Sequence, residues 1–223
     1  MTKKGILTVA LKIGFATQKG GPGKSTDARG TAVGFAQNGW AVKIADFDLN
    51  QSTSTRWLQR RLTRGHKPEV SVEQFGSMAH ALARADDYDV IIFDGAPRAS
   101  KDTAAMAEAC DLLVIPTGLS VDDLDPAVEL ADALHFKHGI PIERIAFALN
   151  HVGDSMAELE EAQEYLSQKP YHVLAGYLPQ KVSYSRAMDI GLSVIEVSHK
   201  GLRAQAEQLI SSIIKRATAL QSK

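Results

Sequence analysis

The stretch Thr17-Gln18-Lys19-Gly20-Gly21-Pro22-Gly23-Lys24-Ser25-Thr26 limits what this chain can fold into more than any other. It follows an apolar run, Leu11 to Ala16, and it opens a helical pattern. A glycine-rich turn between a strand and a helix leaves backbone N–H groups free to converge on one point, and the positive end of the helix dipole adds to them. That point suits a phosphate. Lys24 would reach the outer phosphate oxygens as a compact cation, and the Ser25 hydroxyl would hold Mg2+. Pro22 removes one N–H from such a cradle.

At 223 residues the chain suits one large α/β domain or two small ones. With a net charge of −1, attraction to nucleic acid would have to come from a local patch and not from the global field. The single cysteine, Cys110, excludes an intrachain disulfide and a Cys-x-x-Cys pair, and a reducing cytoplasm fits. Lys3 and Lys4 before an apolar run superficially resemble a signal peptide, but the run leads directly into the glycine-rich loop, so cleavage would destroy the first strand. Met1 to Ala10 is surplus to that strand and reads as an extra strand, a frayed arm or a misplaced start. No apolar stretch is long enough to span a membrane.

After the loop, Ala28, Ala32, Phe35 and Ala36 recur at helical spacing and Asn38-Gly39 ends the helix; Gly30 and Gly34 would let it lie close to the sheet. A strand at Ala41 to Phe47 delivers Asp46 and Asp48 at its carboxyl end, the edge where doubly wound sheets bind ligands. Thr55 to Arg64 reads as a helix with a strongly basic face, either solvated or turned to a partner or second subunit. Val70 to Phe75 alternates as a strand, and Met78 to Ala85 is a short helix. The run from Tyr88 to Asp94 is a doubly buried strand ending in an acid. Cys110 to Thr117 is another buried strand, with Cys110 as a small buried hydrophobe. A helix over Asp122 to Phe136, a strand from Ile145 to Leu149 and an acidic-faced helix from Ala157 to Leu166 follow. His135 and His138 read as surface histidines and not as a metal site. The last helix, Lys200 to Leu220, places Leu202, Ala206, Leu209, Ile210, Ile213 and Ala217 on one face, packed on the sheet. Strand and helix alternate throughout without repeats or a linker. The expected fold is a single doubly wound, mostly parallel α/β sheet flanked by helices, one domain over residues 1–223.

The ordinary Walker A pattern begins with a glycine at the place Gln18 holds, whereas Lys-Gly-Gly-x-Gly-Lys-Ser-Thr is the deviant Walker A signature. On these residues the chain resembles the ParA/MinD family of dimeric ATPases, from about Leu11 to the C-terminal helix. The resemblance implies ATP and Mg2+ as ligands. Lys19 would cross a dimer interface to the partner's phosphates, and Lys19, Gly20, Gly21, Gly23, Lys24, Ser25 and Thr26 would form the phosphate cradle. Asp46-Phe47-Asp48-Leu49-Asn50-Gln51 resembles the family's Asp-x-Asp-Pro-Gln element, departing from it by carrying Leu49-Asn50 where one proline stands. By position, Asp48 would orient the attacking water or its Mg2+ shell; helix-capping acids are the alternative. Asp94 is the Walker B candidate for the Mg2+ shell, beside Ser25 as a direct ligand. Asn150 would read the adenine edge, and Pro179, in a loop from Gly176 to Met188 closing over the base, would contact it.

Family resemblance further implies a small partition ATPase of plasmids or chromosomes: an ATP-dependent homodimer that binds DNA without sequence preference. A small centromere-binding or adaptor protein would stimulate the hydrolysis that releases it. Lys181, Lys200, Arg203, Lys215 and Arg216 are the candidate DNA contacts, and the location would be cytoplasmic and nucleoid-associated. The alternative is a MinD-like or other cargo-positioning ATPase; a membrane role is disfavoured by a last helix with no bulky aromatics and few cations. A metabolic ligase of the dethiobiotin synthetase type shares the fold but lacks a lysine at the Lys19 position.

Overall fold

The computed structural model describes residues 9–18, 23–49, 52–96 and 101–221. The expectations for residues 1–8, for Lys19, Gly20, Gly21 and Pro22, and for Asn50-Gln51 lie outside the described residues.

Seven strands form one sheet: β1 (Leu11–Phe15), β2 (Val42–Asp46), β3 (Ser71–Gln74), β4 (Val90–Asp94), β5 (Leu112–Thr117), β6 (Ile145–Val152) and β7 (His172–Pro179). Their spatial order is β3-β2-β4-β1-β5-β6-β7, and every pairing is parallel. The helices are α1 (Lys24–Gln37), α2 (Thr53–Thr63), α3 (Met78–Leu82), α4 (Lys101–Ala109), α5 (Val121–His138), α6 (Met156–Ser167), α7 (Val182–Asp189) and α8 (Lys200–Gln221). Because strand side chains alternate, each central strand feeds two cores. Leu11, Ile13, Phe15, Ile44, Ile92 and Val114 meet α1 and α8 on one side of the sheet. Ile91, Phe93, Leu113, Ile115 and Phe147 meet α4, α5 and α6 on the other. β1 runs at the centre, so the glycine-rich loop leaves from the best-anchored strand of the sheet.

Gly30 and Gly34 face α8, not the sheet. A Cβ at Gly30 would lie 2.9 Å from Ile210 Cδ1, and one at Gly34 2.9 Å from Ile214 Cδ1. The glycines let two helices, and not helix and sheet, approach closely. Ile210 and Ile214 fill the space, and truncating either to Ala would cost about 2–5 kcal/mol.

The basic helix α2 is not simply solvated. Trp57 is fully buried, and Arg61, 1 % exposed, stacks on its ring and holds Glu196 through two 2.9 Å bonds. Gly191, at φ 84°, lets the two segments meet: a Cβ there would lie 2.3 Å from the backbone nitrogen of Arg61. The region expected to be a loop from Gly176 onward also differs. His172 to Pro179 is an edge strand beside β6, with Pro179 its last residue, and α7 begins at Val182. Gly176, at φ 86°, and half-exposed side chains along the strand conceal it from a periodicity reading. Cys110 is buried, its sulfur 2.7 Å from where a Cβ on Gly14 would lie, and burial pushes its thiol pKa up.

Candidate nucleotide-binding site

The carboxyl ends of β1, β2 and β4 lie side by side, with Phe15 and Asp46 both in register with Asp94. The loop after β1 re-enters regular structure at Gly23, whose left-handed φ of 90° turns the chain into α1. Lys24 is folded back so that its Nζ donates to Thr17 Oγ1 at 3.0 Å. Burial lowers its pKa, while Asp94 and Asp48 work in the other direction.

Ser25 and Asp94 meet across the site: Ser25 Oγ donates to Asp94 Oδ1 at 3.1 Å. The other carboxylate oxygen accepts from Ser54 Oγ at 2.8 Å, and Arg29 Nε donates to that hydroxyl at 3.1 Å. The Ser54 amide donates to Asp46 Oδ2 at 3.3 Å, and the Asp48 amide to Asp46 Oδ1 at 3.0 Å. This chain of contacts ties α1, α2, β2 and β4 together at the sheet edge. Asp46 and Asp94 are buried as neighbours, so burial first, and then their mutual repulsion, pushes Asp46 up to about 6. Asp94 is raised by burial and partly brought back by Arg29, Ser25, Ser54 and Lys24.

A cavity of about 350 Å3 opens beside this cluster, lined by Gly23, Thr26, Asn150, Leu178, Pro179 and Tyr184 among others. Asn150 ends the buried stretch of β6, and its Nδ2 donates to Asp27 Oδ2 at 2.7 Å. Asp27 is wholly buried, and burial pushes its carboxyl up to about 8. His151, next in the chain, takes φ 55° where β6 and β7 slip register.

Of the residues expected in the site, Lys24, Ser25, Asp48 and Asp94 come together at the phosphate end, and Gly23, Thr26, Asn150 and Pro179 at the cavity. The five candidate DNA contacts do not share one patch. Lys181 lines the cavity and pairs with Asp154. Lys200 and Arg203 stand at the start of α8, while Lys215 lies roughly 22 Å further along that helix at 1.5 Å per residue. There Lys215 and Arg216 border a groove with His172, and Arg216 also donates to the Glu143 carbonyl. His135 Nδ1 pairs with the Ile140 carbonyl, and no metal-binding group of His, Cys, Asp and Glu exists among the described residues.

Asp27, Arg29 and Ser54 are site residues that the sequence reading gave no role, and Asp46 it brought only to the ligand-binding edge of the sheet. Asp27 and Arg29 lie within a helix whose first turns are buried almost all round, a pattern in which charged residues are out of place. That misfit was the available signal.

A model of the family described as ATPase MipZ matches residues 11–117, just under half of the chain, from β1 to the end of β5. The protein VirC1 of Rhizobium radiobacter is 29 % identical over 120 residues, covering 51 % of this chain and 52 % of VirC1. The chain thus spans about half the length of that curated relative. Over these residues the chain is similar to ATPases of the MipZ kind and to VirC1, and its fold is that of ParA/MinD proteins. The cell division ATPase MinD of Pyrococcus furiosus superimposes on this chain with a TM-score of 0.72 at 18 % identity, over 92 % of this chain and 99 % of that one. A putative plasmid partition protein of Borrelia burgdorferi, bound to AMPPNP, gives 0.69 at 17 % identity, over 93 % and 99 %. At these identities the structural likeness is one of fold.

Proposed function

We propose that this chain is a partition-type ATPase that binds ATP with Mg2+ and dimerises around it. In this reading the dimer holds DNA without sequence preference and lets go when an adaptor protein stimulates hydrolysis. The observation that carries the reading is the Lys24, Ser25, Asp94 and Asp48 cluster opening onto the Asn150–Pro179 cavity. A cation for the phosphates and hard oxygen donors for a small divalent ion stand at one end, and a half-open cleft with room for a base lies at the other.

The donor set fits Mg2+. Ser25 Oγ and Asp94 Oδ1 are 3.1 Å apart, and both are oxygens, which that ion prefers. Ser25 would hold the ion directly and Asp94 through its water shell; Asp48 would share that shell or align the attacking water. The ion supplies neutralisation of charge on the outer phosphates. Lys24 is buried enough for its charge to count fully against a phosphate, and its present partner, Thr17, is a neutral hydroxyl that a phosphate oxygen can replace. In-line attack by water asks little more of side chains than positioning and charge. Lys19 would supply the second cation from the partner subunit.

DNA contacts would come from lysines and arginines at two separate places, the start of α8 and the Lys215–Arg216 groove, with Lys181 beside the nucleotide. A dimer can combine such separated sites into one surface. A membrane-directed reading has less support. The apolar face of α8, with Ala206, Leu209, Ile210, Ile213 and Ala217, is buried against α1 and the sheet and is not available to lipid.

The test compares wild type, Lys24→Ala and Asp48→Ala for ATP turnover, size in solution with ATP and Mg2+, and DNA retention over a salt series. Lys24→Ala is expected to lose all three. Asp48→Ala is expected to lose turnover while the ATP-bound dimer still holds DNA. Wild-type turnover in both variants, or a wild-type protein that stays monomeric with ATP, would end the proposal.

A further inference from the structure

Among the described residues, two non-glycines take a left-handed backbone, Ser52 at φ 51° and His151 at φ 55°. Side chains resist that conformation, and residues that keep it gather at ligand-binding sites. Ser52 is accounted for by its contacts: its amide donates to the Asp48 carbonyl at 3.0 Å, and its hydroxyl accepts from Gln74 Nε2 at 2.8 Å. His151 has no such account. It is exposed, and its ring makes no hydrogen bond, ion pair or aromatic contact among the described residues.

The backbone there re-aims the side chain. Leu149 is in register with Tyr177 and Val152 with Pro179, so three steps along β6 match two along β7, and β6 carries one surplus residue. Leu149 and Val152 both pack into the core beside α5 and α6, whereas Asn150 reaches α1 on the other side of the sheet. The alternation of faces therefore breaks at His151, as it does in a bulge. Glycine is the ordinary occupant of a left-handed bulge position, and bulges beside ligand sites serve to redirect a side chain. The histidine found there lines the cavity of about 350 Å3, together with the apolar Leu178, Pro179 and Tyr184. Apolar side chains of that kind suit one face of a flat ring system, and an imidazole at the exposed rim can cover the other.

We propose that His151 is a base-binding residue, held in a left-handed bulge so that its ring stacks on the base of a nucleotide in the cavity. The proposal rests on the reading of that cavity as the base site.

The test uses ADP and ribose 5-diphosphate, which differ only in the base, in calorimetric titrations with Mg2+. Wild type, His151→Gly, His151→Asn and His151→Phe are compared, and each is also unfolded thermally without ligand. Glycine relieves the left-handed strain, so the unfolding midpoint of His151→Gly is expected at or above that of wild type. Its ADP affinity is expected to fall about tenfold while its affinity for ribose 5-diphosphate stays at the wild-type value. Asparagine tolerates the same backbone and has no ring, so His151→Asn should lose ADP affinity as glycine does. His151→Phe keeps a ring face and should keep ADP affinity within about threefold of wild type. A purely structural role would lower the midpoint of His151→Gly and weaken both ligands together, and that result overturns the proposal. So does wild-type ADP affinity in the glycine and asparagine variants, or a phenylalanine variant that loses as much as they do. Each of these leaves the nucleotide reading intact. Loss of fold in the glycine and asparagine variants would also overturn it, by assigning His151 to the scaffold. A wild type that binds the two ligands equally would remove the base-site reading, and one that binds neither would remove the nucleotide reading altogether; either result takes the proposal with it.

Discussion

The two ends of the candidate site are built differently. At the phosphate end, short contacts from Thr17, Lys24, Ser25, Arg29, Asp46, Ser54 and Asp94 join two helices and two central strands into one network. At the base end, a cavity of about 350 Å3 is walled by the last residues of an edge strand, a short helix and a single buried asparagine. Charge at one end must be cancelled to be tolerated, so partners are numerous and fixed. Shape suffices at the other, so side chains are ordinary and only one amide is oriented. Affinity should therefore reside in the first region and selectivity in the second.

The largest effect that tests this division compares Lys24→Ala with Asn150→Ala. Removing the lysine should cost more than a hundredfold in ATP affinity, since it leaves several phosphate charges facing Asp94 with no cation at that position, whereas removing the amide should cost about tenfold. Equal losses, measured by calorimetry, would break the comparison.

Next in size is a pH effect confined to the acids. Asp27 and Asp46 have folded pKa values of about 8 and about 6 against an ordinary 3.8, and Asp94 is also raised. A raised value means that the folded chain holds the proton more tightly than the unfolded one. The stability this contributes is complete below about 3.8 and is lost as pH rises through about 6 for Asp46 and about 8 for Asp27. Thermal unfolding of the nucleotide-free protein should fall by a few degrees between pH 5 and pH 9, at about 2–4 °C per kcal/mol for a chain of this size. Asp27→Asn should flatten the upper part of the profile. A midpoint that rises over this range would show that the buried acids are paired more strongly than their contacts suggest.

The smallest effect expected is that of Ser54→Ala. Asp94 keeps Ser25 but loses its other side-chain hydroxyl, and Arg29 Nε loses its acceptor. A loss of about 1–3 kcal/mol in chemical denaturation is expected, with turnover reduced less than by Asp48→Ala. A neutral result would separate α2 from the phosphate network.

Much of this architecture can be read from the chain. Buried parallel strands such as Val90 to Phe93 are continuous apolar runs, and the loop before Lys24 has a composition that few other structures would require. The edge strand β7 was not legible, because half of its side chains meet solvent and Gly176 interrupts it. The destination of Arg61 was equally hidden. A basic residue on a basic helix reads as solvated until Glu196, far along the chain, is seen to receive it. Asp27 was hidden for a related reason: Asn150, whose amide donates to it, is distant in sequence, and one helix turn carries no record of what a remote strand brings to it.

The clamp formed by Ile210 and Ile214 over the two glycines of α1 bears on how the protein is made. Synthesis delivers Lys24, the candidate phosphate contact, well before the wall behind its helix, which comes from residues translated nearly two hundred codons later. A nascent chain still lacking that wall should have a loose grip on nucleotide, so competence to bind would arrive abruptly, once α8 has emerged and docked.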